Sequence, residues 1–269
     1  MNENVIARNN VTVKGNGQQV MMFAHGFGCD QNMWRFVTPA FEEDYKVVLF
    51  DYVGCGKSDV TCYNPERYSN LHGYAQDVLD VCEALELTDV IFVGHSVSSM
   101  IGLLAAVENP DIFSCMIFIG PSARYMNDMG YTGGFSREDL EGLLEVMDNN
   151  YIGWANFLAP VVMKNEGSPE LTKELEESFC STDPKITRKF AEVTFFSDNR
   201  EDLSKLTMPC LIMQCSDDAI APDEVGLYIH NKIKDSVFEK MEATGHCPHM
   251  SHPQETIDLM QKFLNQVTY

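Results

Sequence analysis

Ser96 has the residue type and the local context of an activated nucleophile. The apolar, β-branched run 90–93 ends at Gly94, Ser96 follows two residues later, and small residues then begin a helical pattern. A strand–turn–helix of this kind holds a serine hydroxyl on a sharp turn above a sheet. The pattern predicts acyl-transfer chemistry at Ser96, provided that a base, an acid and an oxyanion site lie close to it in the fold.

His246 is the candidate base, because it follows the last strand-like run of the chain. In the strand–turn–helix template the partners follow the serine in the order Ser, Asp or Glu, His. A histidine at this place acts first as general base and then as general acid. The other six histidines are alternatives, with the first two as the serious rivals: His249, His252, His25, His72, His95 and His230.

The carboxylate that would orient the imidazole has two candidates, Asp217 and Asp218, which follow the strand-like run 210–215. The direction of each side chain decides between them, and the sequence leaves that choice open. Asp51 also ends a strand-like run, but its glycine-rich turn lacks phosphate-loop spacing, and we interpret it as structural.

The oxyanion site needs two backbone N–H groups aimed at the developing negative charge. Val97, directly after the nucleophile, would supply one of them. Phe27 would supply the other, because the glycines on both sides of it let the backbone approach a substrate closely. Ser98 occupies the place where the general motif has a second glycine, and its small side chain is expected to fit there.

Strand-like and helical patterns alternate along most of the chain, which predicts an α/β fold with a mostly parallel, doubly wound sheet. Ligands bind outside the carboxyl ends of the strands in such sheets. The predicted strands are 20–24, 45–50, 90–93, 115–119, 210–215 and 237–241, and the predicted helices are 71–87, 100–107, 222–231 and 255–267.

The strand signals stop between residues 122 and 197, where four helical segments predict an inserted lid. The catalytic core would then comprise residues 1–121 and 198–269. The four segments are 136–149, 152–163, 168–179 and 183–196, and Pro160 is expected to end or kink the second.

Six aromatic side chains, together with His95, are the candidates to line a ligand pocket: Tyr125, Phe135, Trp154, Phe157, Phe195 and Phe196. No lid arginine or lysine is obviously aimed inward, so we expect a small, uncharged, apolar ligand.

Composition excludes several function classes. The formal net charge is −21 over 269 residues, which argues against nucleic acid or an anionic membrane as a partner. The nine cysteines lack metal-binding spacing, so no metal or cofactor is expected. Their scatter suits a reducing cytosol, and the polar start of the chain does not resemble a signal peptide. We expect a cytoplasmic monomer.

Long stretches of the chain resemble the α/β-hydrolase family and, within it, the RsbQ-like bacterial stress regulators and the plant strigolactone and karrikin receptors. The stretches that carry the resemblance are 26–31, 50–54, 73–85, 94–97, 150–155, 179–184, 195–198 and 245–253. The resemblance implies a triad of Ser96, Asp218 and His246, with Phe27 and Val97 lining the oxyanion hole of a closed, apolar pocket.

The resemblance also implies a regulatory role. RsbQ-like proteins act with a PAS-domain serine phosphatase to activate the sigma-B stress response. The plant receptors, which also have serine at the place of Ser98, hydrolyse butenolide ligands slowly and signal by lid rearrangement. The alternatives are a stand-alone metabolic carboxylesterase, a binding module with a vestigial triad, and a cofactor-free haloperoxidase or C–C hydrolase.

Overall fold

A computed structural model describes residues 2–267 of the chain, and it contains one seven-stranded sheet. The strand order is β1-β3-β2-β4-β5-β6-β7; β1 pairs with β3 antiparallel, and every other pairing is parallel. The strands are β1 (Thr12–Lys14), β2 (Gln19–Ala24), β3 (Tyr45–Leu49), β4 (Val90–His95), β5 (Phe113–Ile119), β6 (Cys210–Gln214) and β7 (Ser236–Lys240).

Helices cover both faces of the sheet, as predicted. Alternate residues of β2 enter different cores: Met22 packs in the core beneath α2, α3 and α8, whereas Met21 and Phe23 pack in the opposite core with α10 and the lid helices. The helices are α1 (Asn2–Arg8), α2 (Leu71–Ala84), α3 (Val97–Glu108), α4 (Arg137–Asn149), α5 (Tyr151–Met163), α6 (Pro169–Cys180), α7 (Pro184–Phe195), α8 (Asp223–Lys232), α9 (Pro248–Ser251) and α10 (Pro253–Leu264).

The central strands β4 and β6 are apolar except at their last residues, His95 and Gln214, because both of their faces are buried. All six residues of β4 are buried, as are all five of β6. A parallel strand covered by helices on both sides has no solvent face, so its sequence does not alternate. This explains why 90–93 and 210–213 are recognisable as short, uninterrupted apolar runs.

Four helices, α4 to α7, lie between β5 and β6, where the sequence predicts the lid. Ser136 begins α4 with a capping box to Asp139, and Asp183 caps α7 just before a proline at the first helical position. Pro160 does not end α5, which continues for three residues to Met163. The division into a core and a lid at residues 121 and 198 stays a prediction.

Two elements near the start of the chain are absent from the sequence prediction. The strand β1 has three residues, half-buried or exposed, at the edge of the sheet, so no apolar run marks it. The helix α1 has seven residues and is held by Arg8, whose guanidinium contacts Asp80 on α2 at 2.7 Å. No helix within residues 2–267 is both long and apolar enough to cross a bilayer.

Candidate active site

Ser96 lies on a strained turn between β4 and α3. Its backbone has φ 56° and ψ −123°, a conformation that costs free energy for a residue with a side chain. A Cβ on Gly94 would lie 2.7 Å from the backbone of Ser98, so the turn requires glycine there. The backbone N–H of Ser96 donates to Ile119 O on β5 at 2.8 Å, which anchors the turn to the sheet.

The structure brings Ser96, His246 and Asp218 into one hydrogen-bonded series. His246 Nε2 lies 2.7 Å from Ser96 Oγ, and His246 Nδ1 lies 2.6 Å from Asp218 Oδ2. All three residues are buried, with at most 9% of their surface exposed. A carboxylate at Nδ1 keeps the proton on that nitrogen, which leaves Nε2 free to accept the serine proton.

The two adjacent aspartates have different environments. Asp218 points inward, and its second oxygen accepts hydrogen bonds from the backbone N–H groups of Ile220 at 2.8 Å and Ala221 at 3.1 Å. Asp217 is exposed and forms an ion pair with Lys164 at 2.5 Å. The structure thus distinguishes the pair that the sequence alone left open, and it places Asp218 at the position implied by the family resemblance.

The loop that carries His246 is held against the end of lid helix α5. The backbone N–H of His246 donates to Val162 O at 2.8 Å. Gly245 has φ 78°, and a Cβ there would lie 2.2 Å from Met163 O, so glycine is needed for this close approach. The position of the imidazole therefore depends on the lid as well as on the sheet.

The rival histidines make other contacts. His249 is fully buried against the Trp34 ring, and burial lowers its pKa to about 3. His252 contacts Ser251 Oγ at 2.9 Å. His95 Nε2 contacts the carbonyl oxygen of His246 at 2.7 Å, and its pKa is held well below the ordinary value by burial first and by the neighbouring histidines second.

The two backbone donors predicted for the oxyanion hole flank Ser96 in the fold. Among residues 2–267, the N–H groups of Phe27 and Val97 have no hydrogen-bond acceptor, so both are free to donate to a ligand. Val97 is the first residue of α3, where the helix dipole adds positive potential. On the other side of the site, Ser178 of α6 donates to Gly28 O at 2.7 Å and supports the loop of Phe27.

Ser98 has a structural role at the place of the second glycine. Its hydroxyl donates to His25 O and lies 2.8 Å from the Tyr52 hydroxyl. His25 begins the loop that contains Phe27, so Ser98 joins the nucleophile turn to the oxyanion loop. The side chain is accommodated and bonded, as its small size predicts.

A small cavity of about 30 Å³ lies next to Ser96, between the sheet and the lid. Its lining is mostly apolar, and two of the polar residues in it, apart from the triad, are Tyr125 and Thr194. The Tyr125 hydroxyl lies 3.3 Å from Ser96 Oγ. The Thr194 hydroxyl has no hydrogen-bond partner among the residues that the structure describes. The lining residues that the sequence predicted are Phe27, His95, Tyr125 and Phe195.

Four of the predicted pocket aromatics do not line this cavity. Phe157 is 62% exposed on the outer face of α5, so its assignment to the pocket is wrong. Trp154 is fully buried one layer behind the wall, against the rings of Phe27 and Phe179. Phe135 and Phe196 are half-buried: the first pairs with Met126 in a single β-bridge, and the second lies in a separate surface groove.

Seven further lining residues were not predicted: Cys29, Val162, Leu175, Phe179, Thr194, Ile220 and Cys247. A usable signal existed for two of them, because Leu171, Leu175 and Phe179 recur every four residues and form the buried stripe of α6. The others are single residues at helix ends or in loops, where no periodicity reports which way the side chain points.

Comparison with known proteins agrees with this geometry. Residues 21–259 match the model of the alpha/beta hydrolase family. The chain belongs to that family. It is 37% identical to the karrikin insensitive 2 receptor CA of Petunia hybrida over 257 residues, which cover 95% of each chain. It is 35% identical to the strigolactone esterase RMS3 of Pisum sativum, over 96% of this chain and 97% of that one.

A solved structure extends the similarity to the whole fold. A hydrolase from Oleispira antarctica superposes with a TM-score of 0.96 at 46% identity, over 98% of this chain and 97% of that chain. At this level of similarity the core and the four lid helices have counterparts in that hydrolase, because almost no part of either chain is left uncovered.

Proposed function

We propose that the protein is a serine hydrolase that cleaves a small, apolar carboxylic ester or lactone. The observation that carries this proposal is the buried hydrogen-bonded series Ser96–His246–Asp218, which opens on a mostly apolar cavity beneath the lid. The family membership and the esterase name of the relative from Pisum sativum support the same reaction class.

Each group has a defined role in the reaction. Ser96 Oγ attacks the carbonyl carbon while His246 Nε2 takes the hydroxyl proton, and Asp218 stabilises the imidazolium that results. The N–H groups of Phe27 and Val97 donate to the oxyanion of the tetrahedral intermediate. His246 then returns its proton to the leaving alkoxide, and an acyl-enzyme remains on Ser96.

Deacylation repeats these steps with water. His246 takes a proton from a water molecule that attacks the acyl carbon, and the carboxylic acid leaves as Ser96 regains its proton. With a lactone, the alcohol released in the first half stays attached to the acyl group, so the two halves of the substrate leave as one hydroxy acid.

The lining indicates the substrate class. Phenylalanine, leucine, isoleucine and valine side chains form most of the wall, so a charged substrate would lose its hydration without compensation. Thr194 and Tyr125 offer hydroxyls for one or two ester, ether or carbonyl oxygens of the ligand. A butenolide or a short aryl ester is uncharged and carries oxygen atoms of these kinds.

A signalling role is the second candidate, and the contacts between lid and site favour it. The lid supplies the carbonyl that holds the His246 loop and the hydroxyl that holds the Phe27 loop, so a ligand that shifts the lid also changes the site. Following the resemblance to RsbQ-like regulators, we propose that a PAS-domain serine phosphatase binds the lid and links its conformation to a sigma-B stress response.

We also propose a cytoplasmic location, which buried free thiols such as Cys82 and Cys210 support.

Two experiments separate these proposals. Hydrolysis of a series of aryl esters and butenolide lactones is measured for the parent and for Ser96→Ala, and we expect turnover that the substitution lowers by about 10³-fold or more. A folded parent that turns over none of the series would overturn the hydrolase proposal.

Co-precipitation with a PAS-domain phosphatase tests the second role, in the absence of ligand and in the presence of an ester or lactone that the protein hydrolyses. If no complex forms in either case, the signalling role is overturned and a stand-alone esterase remains.

A further inference from the structure

Three side chains of metal-binding type cluster directly behind the triad. His95, Cys247 and His249 each offer one ligand atom, and these atoms all lie within 4.8 Å of one another. The three residues are 2%, 1% and 0% exposed, so water does not compete for them at the surface. The sequence did not predict this cluster, because His95 is about 150 positions away from the other two.

The cluster contains more unpartnered polar atoms than a buried region normally tolerates. Both ring nitrogens of His249 and Nδ1 of His95 have no hydrogen-bond partner within the described part of the chain. Buried polar atoms are bonded in the large majority of cases, and each one left unbonded costs free energy. An ion that binds one nitrogen of each ring would give a partner to one nitrogen of His249 and to Nδ1 of His95, and would lower that cost.

The donor set selects the kind of ion. Each imidazole offers a ring nitrogen and Cys247 offers its sulfur. Two imidazoles and one thiol suit Zn²⁺ and other borderline or soft cations, whereas Mg²⁺ and Ca²⁺ prefer oxygen ligands.

We propose that His95, Cys247 and His249 form a binding site for Zn²⁺. Zinc bonds of about 2.0–2.1 Å to nitrogen and about 2.3 Å to sulfur place tetrahedral ligand atoms roughly 3.3–3.6 Å apart. Side-chain movements of about 1 Å therefore bring the three ligand atoms into range. Binding breaks the S–H bond of Cys247, forms a zinc–thiolate bond, and releases the proton to the buffer.

The location of the cluster indicates how an ion would enter and which parts of the site it would connect. His95 and Cys247 line the active-site cavity, which provides a path for entry and an open fourth position. His95 precedes the nucleophile in sequence, and Cys247 follows His246. A bound ion therefore joins the nucleophile turn to the histidine loop, and it stabilises the native state because the unfolded chain lacks the preformed site.

The test uses the full-length protein after treatment with a chelator, with Co²⁺ as a spectroscopic substitute for Zn²⁺. Cys180→Ser serves as the background because Cys180 is an exposed thiol. We expect one Co²⁺ per chain, intense visible bands of tetrahedral cobalt, a thiolate-to-cobalt charge-transfer band, and displacement of these bands by Zn²⁺. Zn²⁺ should also raise the unfolding temperature, and Mg²⁺ should not.

Two variants and one matched control locate the site. Cys247→Ala should abolish the charge-transfer band, and His249→Phe, which keeps an aromatic ring on Trp34, should weaken Co²⁺ binding at least tenfold. Cys82→Ala removes a buried thiol in the core on the opposite face of the sheet and should bind Co²⁺ as the background does. Thermal unfolding of each variant verifies that it folds.

Two results would overturn the site. The first is the absence of tetrahedral bands at saturating Co²⁺. The second is equal binding by the background, Cys247→Ala and His249→Phe, which would show adventitious surface binding only. Neither readout needs catalytic turnover, and His246→Ala should still bind Co²⁺, so failure of this site and failure of the proposed hydrolase function are distinguishable.

Discussion

The sheet and the lid position their site residues in different ways. Ser96, Asp218 and His246 follow the ends of strands β4, β6 and β7. The backbone N–H of Ser96 donates to β5, the Asp218 carboxylate accepts from backbone N–H groups of its own loop, and the backbone N–H of His246 donates to the end of lid helix α5. In the lid, the rotation of each helix decides whether an aromatic side chain reaches the cavity, as for Phe195, or faces solvent, as for Phe157. Small positional changes should therefore cost more in the sheet loops than in the lid.

The largest expected effect on kcat is a difference between substitutions of two adjacent residues, Asp217 and Asp218, in the loop after β6. Asp218→Asn keeps the shape of the side chain but stabilises the wrong imidazole tautomer, so kcat should fall by about 10³–10⁴. Asp217→Asn, its matched control, only breaks an exposed ion pair with Lys164 and should leave kcat within about twofold. Steady-state ester hydrolysis measures both, and equal losses in the two variants would contradict the assignment of Asp218.

The next effect compares two aromatic residues of the lid region. Phe195 lines the cavity and contacts the rings of Phe27 and Tyr125. Phe195→Leu should therefore lower kcat/KM by about fivefold, the equivalent of losing one aromatic contact of roughly 1 kcal/mol. Phe157→Leu changes an exposed side chain and should have almost no effect on hydrolysis. If the two variants lost activity equally, the lid would have a different orientation from the one described.

A smaller effect tests the contact between the lid and the oxyanion loop. Ser178→Ala removes the hydrogen bond to Gly28 O, worth about 0.5–1.5 kcal/mol, so kcat should fall about two- to tenfold with little change in KM. Ser181→Ala is the control, because its hydroxyl donates to Ser178 O at the end of the same helix and does not contact the Phe27 loop among the described residues. A change in KM alone would indicate that the lid affects binding and not the oxyanion hole.

The smallest effect concerns stability in the lid. A Cβ on Gly142, inside α4, meets no atom within 4 Å, so Gly142→Ala should raise the free energy of unfolding by about 0.5–1 kcal/mol. The matched change in the sheet region, Gly94→Ala, should destabilise the protein, since its Cβ would clash with the backbone of Ser98. Chemical denaturation measures both; a stabilising Gly94→Ala would contradict the tight nucleophile turn.

The same difference explains which features the sequence predicts. Buried parallel strands are short apolar runs, and their ends mark the place of chemistry, so Ser96 and His246 were found from position alone. The lid helix α5 is apolar on nearly every side, with Ile152, Trp154, Phe157 and Val162 pointing in different directions. Because apolar residues occupy every face of such a helix, their spacing does not indicate which side chains face the cavity.

Two further features lie beyond sequence patterns for geometric reasons. Asp217 and Asp218 are chemically identical, and only the backbone path after β6 decides which one turns inward. The cluster of His95, Cys247 and His249 joins residues that are about 150 positions apart in the sequence. Spacing along the sequence does not indicate contacts between residues so far apart, and only the fold brings these side chains together.

Covalent labelling with a fluorophosphonate, followed by mass spectrometry of the intact protein and its peptides, tests the central claim most directly. Our account predicts one added label per chain, located on Ser96, and its loss in Ser96→Ala and His246→Ala. A folded protein that takes no label, or that is labelled at another residue while Ser96 stays unmodified, would contradict the account.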